Sequence, residues 1–559
     1  MRRRRWPAPR SCRNIPGSPG YPSPAKWSAF NASISGRLVA AVPSAKWCAD
    51  RGGCTDAEWG SAQFRLANIP GAMDHYNFEQ GYDLNPETTC LRNGTTCGQG
   101  NVPLYSVEAE TAEDVQTAVK FAAKNNLRLV IKSSGHDFLG RSTAPFSLLI
   151  RMNKFNNTTF LDAFEIGNKN MGPVVTVGSG AHAGDLYMRA KERGRLVVLG
   201  TAATVCAGGG YVQGGGHSTL APKFGMAADN ALEFLIVVAS GELLRVNHQT
   251  NTDLFYALRG GGSGTWGVII STTFRTFPSF NSTLGDFTLL APNNTVMAAL
   301  MQVHAAHIFD FDATRSSQYF YVVKENNPPP PTADGPSELT LFTVLVNQTQ
   351  AEAEALMAPF FEEALSLPGV QMLESTYTYE DTNDIPFLAD DEGGVSYLLG
   401  SRLVPEDVYR ENIELVGPVY KEMLDAGVLR ILGHLVAGGQ VADNAKISSG
   451  LNPAWRKAKT HVIIQNEWFD STPLDQVDSF RKLFHEKQLP ILEKLSGPNA
   501  GAYANEADLL ESDFRQTFYG EANYKKLTAI KRKYDPEDLF IVPAGVGSER
   551  WDAEGICRV

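Results

Sequence analysis

The 559-residue chain contains no apolar run near the roughly 18 to 20 residues that a membrane helix needs, so no membrane span is expected. Positive charge is scarce: 50 Lys and Arg against 61 Asp and Glu leave a net charge of −11. That balance argues against nucleic acid as a partner, because such binding rests on neutralising phosphates. Cysteines number seven, none in a CxxC pair, and no HExxH occurs, so no metal site is expected. The glycine-rich loops lack a Walker A lysine, which excludes a P-loop, and no GxSxG elbow marks a serine hydrolase. The basic run at Arg2 to Arg5 has no apolar stretch behind it and is not a complete signal peptide.

What is present belongs to a globular protein, with 43% hydrophobic and 20% charged residues. The chain is too long for one core, so two closely packed domains are expected. Six cysteines lie in polar, loop-like contexts. The spacings of Cys48 with Cys54 and of Cys90 with Cys97 suit two small disulfide loops, which leaves Cys12 and Cys557 to tie the chain ends together and Cys206 as a free thiol. Seven N-x-S/T sequons, at Asn31, Asn93, Asn156, Asn157, Asn281, Asn293 and Asn347, point with the cysteines to a secreted protein or one of the endomembrane lumen.

Residues 1–100 are rich in Gly, Pro, Asn and Cys and read as an irregular, disulfide-linked arm. Regular signals begin after residue 101. Thr111 is placed to cap a helix with Glu113 and Asp114 in its first turn, and residues 127–132 read as a buried strand entering a glycine turn. Residues 196–200 read as another strand, and residues 232–247 as two strands around a Ser240-Gly241 hairpin turn. Beyond Pro278 longer strands alternate with amphipathic helices, interrupted by a proline-rich surface loop at residues 326–336. This is an α+β pattern with a large antiparallel sheet. The expected organisation is the arm (1–100), a first domain (101–279), a second domain (280–500) and a C-terminal segment returning to the first (501–559).

Between Gly200 and Ser218 the sequence GTAATVCAGGGYVQGGGHS holds seven glycines in nineteen residues. A dinucleotide fingerprint fails here, because Gln213 stands where the third glycine should follow Gly208 and Gly210. GSGTWG at Gly262 to Gly267 meets the spacing, but the β-branched residues after it read as a strand rather than a helix. Each loop alone could be a tight turn. Three glycine loops beside strands are costly in conformational entropy, and together they suggest backbone N–H groups converging on a large anionic ligand.

The stretches VIKSSGHDFLGRS, GGGYVQGGGHSTLAPKFGMAADNALEFLIVVASGELLRV and DLFYALRGGGSGTWGVIISTTFRTFP, with residues 502–540 and GSERW near the end, resemble the vanillyl-alcohol oxidase superfamily. The nearer resemblance is to berberine-bridge-enzyme-like oxidases of the fungal isoamyl alcohol oxidase type, over nearly the whole chain. It implies a two-part FAD-binding domain of the PCMH type with an α+β substrate domain built on a large antiparallel sheet. It also implies FAD attached to His136 through the flavin 8α carbon, with the pyrophosphate on the turn formed by Ser133, Ser134, Gly135, His136, Asp137, Gly140 and Ser142.

Further cofactor positions implied by the resemblance are Thr201, Ala202, Thr204, Val205, Gly209, Gly210, Gly214, Gly215, Gly216, His217, Ser218, Gly225, Asp229, Asn230, Gly267, Val268 and Asn505. Asp229 could equally be a capping or turn residue. Many relatives carry a second flavin bond from a cysteine, but here Ala202 holds that position and Ala203 the proline after it, so no second cysteinyl link is expected. The chemistry implied is hydride transfer from a substrate carbon to the flavin, assisted by a base, with O2 as reoxidant and hydrogen peroxide as by-product. Plant relatives have Asn-Tyr where this chain has Asn505-Glu506, and another branch places a glutamate where Val462 falls. Glu506 is the candidate base, Asn505 stands near the flavin, and Tyr503, Gln465, His434 and Gln440 are pocket candidates. The substrate expected is a small alcohol or secondary metabolite. A carbohydrate oxidase, a redox-idle cyclase or isomerase, and a glycosylated binding protein that has lost its cofactor are the competing readings. A monomer or weak homodimer is expected.

Overall fold

The computed structural model describes residues 12–324, 334–385 and 392–559. The basic amino-terminal run and most of the proline-rich loop lie outside the described residues. Three disulfides form with the expected pairing, Cys12–Cys557, Cys48–Cys54 and Cys90–Cys97, and Cys206 is free and buried. The amino-terminal arm is more ordered than its composition suggests. It carries the helices Pro24–Ser33, Ser44–Ala49, Asp56–Gly60 and Ala62–Asn68, of which the first, third and fourth are capped by Ser23, Thr55 and Ser61 side chains.

Thr111 caps Ala112–Asn125 in a capping box closed by Asp114. This helix packs its Val115, Val119 and Ala122 stripe on a four-stranded sheet ordered Leu38–Ala40, Tyr105–Glu108, Leu148–Arg151, Leu129–Lys132. The pairs among the last three are parallel. A second, five-stranded sheet is antiparallel throughout and holds Leu243–Asn247, Ala231–Val237, Val268–Arg275, Val174–Gly178 and Thr158–Leu161. The Ser240-Gly241 turn joins two of its strands, with Gly241 at φ +76°. Of the strand expected at 196–200 only Leu196 pairs, in Arg195–Leu196 against Phe277–Pro278; residues 197–200 are largely buried but form no strand ladder. The Tyr187 hydroxyl bonds the carbonyls of Leu199 and Gly200, so a side chain occupies acceptors that a neighbouring strand would use.

After Pro278 the chain builds a seven-stranded antiparallel sheet. Its order is Gln371–Asp381, Asn281–Ala291, Ser337–Leu345, Ser317–Lys324, Arg430–Leu435, Ala458–Trp468, Ser396–Pro405. Apart from the largely exposed edge strand Gln371–Asp381, alternation divides its side chains between two mostly buried faces. Phe320, Val322, Ile431, Val462 and Ile464 join the core formed with the helices Asn294–Ala306, Val416–Asp425 and Leu489–Ser496. Tyr319, Tyr321, Leu432, His434, Ile463 and Gln465 stand on the opposite face and line a cavity against the glycine loops. A bidentate ion pair links the two halves: Arg456 donates to both carboxylate oxygens of Asp229, at 2.8 and 2.6 Å.

Candidate active site

The cavity between the glycine loops and the large sheet has a volume of about 730 Å³, within the range of cofactor and ligand sites. Four stretches distant in sequence meet around it. The turn after Leu129–Lys132 contributes Ser133, Ser134, Gly135, His136, Asp137 and Ser142. The loop before Ala207 contributes Thr201, Ala202, Val205, Gly209 and Gly210 after it. Ser263, Gly264 and Gly267 close a third side, and Tyr503, Asn505 and Glu506 arrive from the C-terminal segment.

The first turn is organised by Asp137. Its carboxylate accepts from the amides of Leu139 and Arg141 and from Arg141 Nε, at 3.0, 2.9 and 2.7 Å. Arg141 then donates to Asn505 Oδ1 at 2.7 Å, and Asn505 Nδ2 donates to the Tyr503 hydroxyl at 2.8 Å. One partly buried chain of hydrogen bonds therefore fixes the C-terminal segment against the turn. Gly135 adopts φ +96°, and a Cβ at Gly209 would lie 2.5 Å from Ser133 Oγ, so only glycine lets these two loops approach.

His136 stands between two partners. Its Nδ1 lies 2.9 Å from Asp74 Oδ2, and its Nε2 lies 2.5 Å from Thr204 Oγ1. Asp74 comes from the arm. Burial opposes its charge, yet His136 and His75 outweigh burial and hold the carboxyl below its ordinary range. The neighbouring His75 stacks on Phe138 at 4.2 Å, and burial pulls its pKa down to about 4. Cys206 is buried with its thiol pushed up to about 12, so it stays protonated at neutral pH.

Glu506 closes the polar end. Both its oxygens lie 3.3 Å from His217 Nε2, and Oε2 lies 3.6 Å from His461 Nδ1. The Tyr319 hydroxyl meets His217 Nδ1 at 3.3 Å. Burial, and then the charge of Glu506, raises the Tyr503 phenol, which makes it a neutral hydrogen-bonding group rather than a base.

Not all the residues named from the sequence line the cavity. Gly214, Gly215, Gly216 and Gly225 approach protein atoms instead: a Cβ on each would strike Asn505, Leu451, Tyr211 and Asn444, respectively. Asp229 is engaged by Arg456 and by Asn444, and also caps the short helix Ala227–Asn230. Asn230 bonds the carbonyls of Phe224 and Met226. Gly140, Thr204, Ser218 and Val268 lie behind the lining, Thr204 touching it through His136. Val462 faces the helical core, and Gln440 bonds Asn444. His434 and Gln465 do face the cavity. Asp74, His75, Arg141, Gln213, Tyr319, Tyr321 and Ile463 also line it and were not identified from the sequence, and neither was His461 beside it.

The lining suits FAD. Ser179 Oγ and Gln213 Oε1 are buried at the cavity and have no hydrogen-bond partner among the described residues, which leaves polar atoms for a ligand to satisfy. The family model for an FAD binding domain matches residues 103–247, and that for berberine and berberine-like proteins matches residues 502–547. An uncharacterised FAD-linked oxidoreductase of Arthroderma benhamiae is 37% identical, covering 98% of this chain and 96% of the relative. The VAO-type flavoprotein oxidase VAO615 of Thermothelomyces thermophilus is 31% identical over 98% of this chain and 95% of its own. The crystal structure of the VAO-type flavoprotein MtVAO713 from Myceliophthora thermophila C1 superposes with a TM-score of 0.87 at 28% identity, covering 99% of this chain and 100% of that one. With a cavity of this chemistry and relatives matched end to end, the chain belongs to the berberine-bridge-enzyme-like FAD-linked oxidoreductases of the vanillyl-alcohol oxidase family.

Proposed function

We propose that the chain is a secreted oxidase whose FAD is attached through a single bond to His136, and that it oxidises a small organic alcohol or related metabolite with O2 as final acceptor. The observation that carries this reading is His136 itself, on the cavity wall with Asp74 at Nδ1 and Thr204 at Nε2; attachment takes one nitrogen in place of its contact, and the partner at the other orients the ring. Ala202 stands where relatives carry a second linking cysteine, and Cys206, held protonated by burial, offers no thiolate in its place. The name of the VAO615 relative, a flavoprotein oxidase, supports O2 as acceptor. Three disulfides, with exposed sequon asparagines at positions 93, 156, 157, 281 and 347, support secretion.

When bound, FAD supplies the two-electron acceptor. The protein's own part is positioning and proton handling. Leu399, Leu432 and Ile463 give the substrate an apolar wall that excludes water, and Gln465 and Tyr503 offer hydrogen bonds. Glu506 accepts the substrate proton at a carboxylate oxygen, with His217 Nε2 beside both oxygens to orient it. The Asp137–Arg141–Asn505 chain holds that segment in place.

Acid precipitation of the purified protein followed by peptide mapping tests the attachment. A single flavin on the peptide containing His136, lost in His136→Ala, is the expected result. Flavin that washes out of the wild-type pellet refutes covalent attachment. Screening alcohols and metabolites then tests the reaction, and turnover without peroxide overturns the oxidase reading.

A further inference from the structure

The geometry points to a binding site for one divalent d-block cation, formed by His217, His434, His461 and Glu506 at the polar end of the cavity. One ligand atom from each lies within 4.8 Å of the others. Tetrahedral ligands at about 2.0 to 2.1 Å from zinc stand roughly 3.3 Å apart. The Glu506 contacts already match that spacing, at 3.3 Å to His217 Nε2 and 3.6 Å to His461 Nδ1.

The fold places these groups firmly. His434 and His461 are direct partners across adjacent antiparallel strands, so both project from the same sheet face. The ring of His217 lies 5.1 Å from that of His434 and 5.5 Å from that of His461. With Nε2 toward the cation, His217 Nδ1–H donates to the Tyr319 hydroxyl at 3.3 Å, the outer hydrogen bond that metal-bound histidines commonly make.

A second, independent observation asks for a ligand. His434 is 7% exposed and His461 is 0% exposed, yet His434 Nδ1 and both nitrogens of His461 have no hydrogen-bond partner among the described residues. Leaving imidazole nitrogens buried and unpaired is unfavourable, and a cation supplies a partner to one nitrogen of each ring. Three nitrogens and one carboxylate select Zn2+ or Cu2+ over the all-oxygen ions Mg2+ and Ca2+.

This inference rests on the reading of Glu506 as proton acceptor in one respect. Coordination occupies the carboxylate, so a bound cation and an accepted proton exclude one another, and the ion acts as an inhibitor of the same site.

The test uses the flavin-loaded protein, stripped with a chelator and then dialysed against Zn2+, with metal and flavin counted separately per chain. One zinc per chain is expected. His434→Ala and His461→Gln should each weaken binding by at least about 100-fold while keeping their flavin. His307→Ala, at a half-buried histidine between Asp310 and Glu363, should leave the stoichiometry unchanged. With Cu2+ as probe, electron paramagnetic resonance should show nitrogen coupling from more than one imidazole. Wild-type protein that binds no more zinc than a chain carrying both His434→Ala and His461→Gln overturns the site, whether or not the variants fold. Because flavin is measured independently, a chain with flavin and no zinc refutes the cation site alone, whereas one with zinc and no flavin supports the site and removes the oxidase reading.

Discussion

Glu79→Gln should loosen the arm that presents Asp74 to His136. Glu79 and Arg65 are both completely buried. One carboxylate oxygen accepts from Arg65 Nη2 at 2.9 Å, from Ser44 Oγ at 2.6 Å and from the Met73 amide at 3.1 Å; the other accepts from the Ser44 amide at 2.8 Å. Glutamine keeps the shape but removes the charge that compensates Arg65 and turns one acceptor toward donors. Summing four charge-assisted hydrogen bonds at about 1.5 to 3 kcal/mol each overshoots, because the released donors rebond in part to water. The cost of leaving one member of a buried pair uncompensated, about 3 to 5 kcal/mol, is the better measure. It should be read locally, by hydrogen exchange at the Met73 amide. Every 1.4 kcal/mol is tenfold, so protection there should fall by roughly 10² to several times 10³. Asp74 follows Met73 directly, so the covalently attached flavin fraction should fall as well. If the Met73 amide in Glu79→Gln stays within tenfold of wild-type protection and flavin attachment is complete, the pair does not hold the arm on the site.

Three further outcomes follow from burial and connectivity. His75 and His304 are buried with pKa values pulled down to about 4, mainly by desolvation, so between pH 6.5 and about 4 the unfolded chain binds protons that the folded one does not. Stability should therefore be complete above pH 6.5 and decline as pH falls through that window, by an upper limit of roughly 3 kcal/mol for each histidine, and thermal melts from pH 7.5 to 4 should show it. Cys206→Ala should keep its full complement of flavin on the His136 peptide and lose only about 1 kcal/mol of stability; release of flavin in acid would make Cys206 an attachment point. Replacing Cys12 and Cys557 together by serine frees a connection spanning 545 residues and should cost about 2 to 4 kcal/mol in denaturant unfolding.

How much of this was legible in the sequence depended on whether the signal was local. Cysteine spacings, the Thr111 cap, the Ser240-Gly241 hairpin and the His136 turn each lie within a few residues, and the structure reproduces them. Residues 197–200 misled because a buried apolar run says nothing about what its carbonyls bond, and here the partner is the Tyr187 hydroxyl. Asp74 and His75 were invisible for a different reason. They belong to a stretch whose composition reads as irregular, and they become site residues only because the buried Arg65–Glu79 pair fixes the backbone between them.

Strand alternation held more information than composition or motifs did. Once Gln465 is placed on the cavity face of Ala458–Trp468, period two puts Ile463 and His461 on that face and sends Val462 and Ile464 to the helical core. The same step turns Tyr319 and Tyr321 inward on Ser317–Lys324, and Leu432 and His434 on Arg430–Leu435. Register, which no single strand states, then sets Tyr319 opposite His434 and His434 opposite His461. The polar end of the cavity is thus a row across three neighbouring strands, closed by His217 and Glu506 from segments 289 residues apart. A spacing motif cannot encode such a row, because none of its members shares a loop or helix turn with another. The expectation of no metal site rested on the absence of CxxC and HExxH, which are local spacings, and so did not weigh a cluster assembled from separate strands and loops.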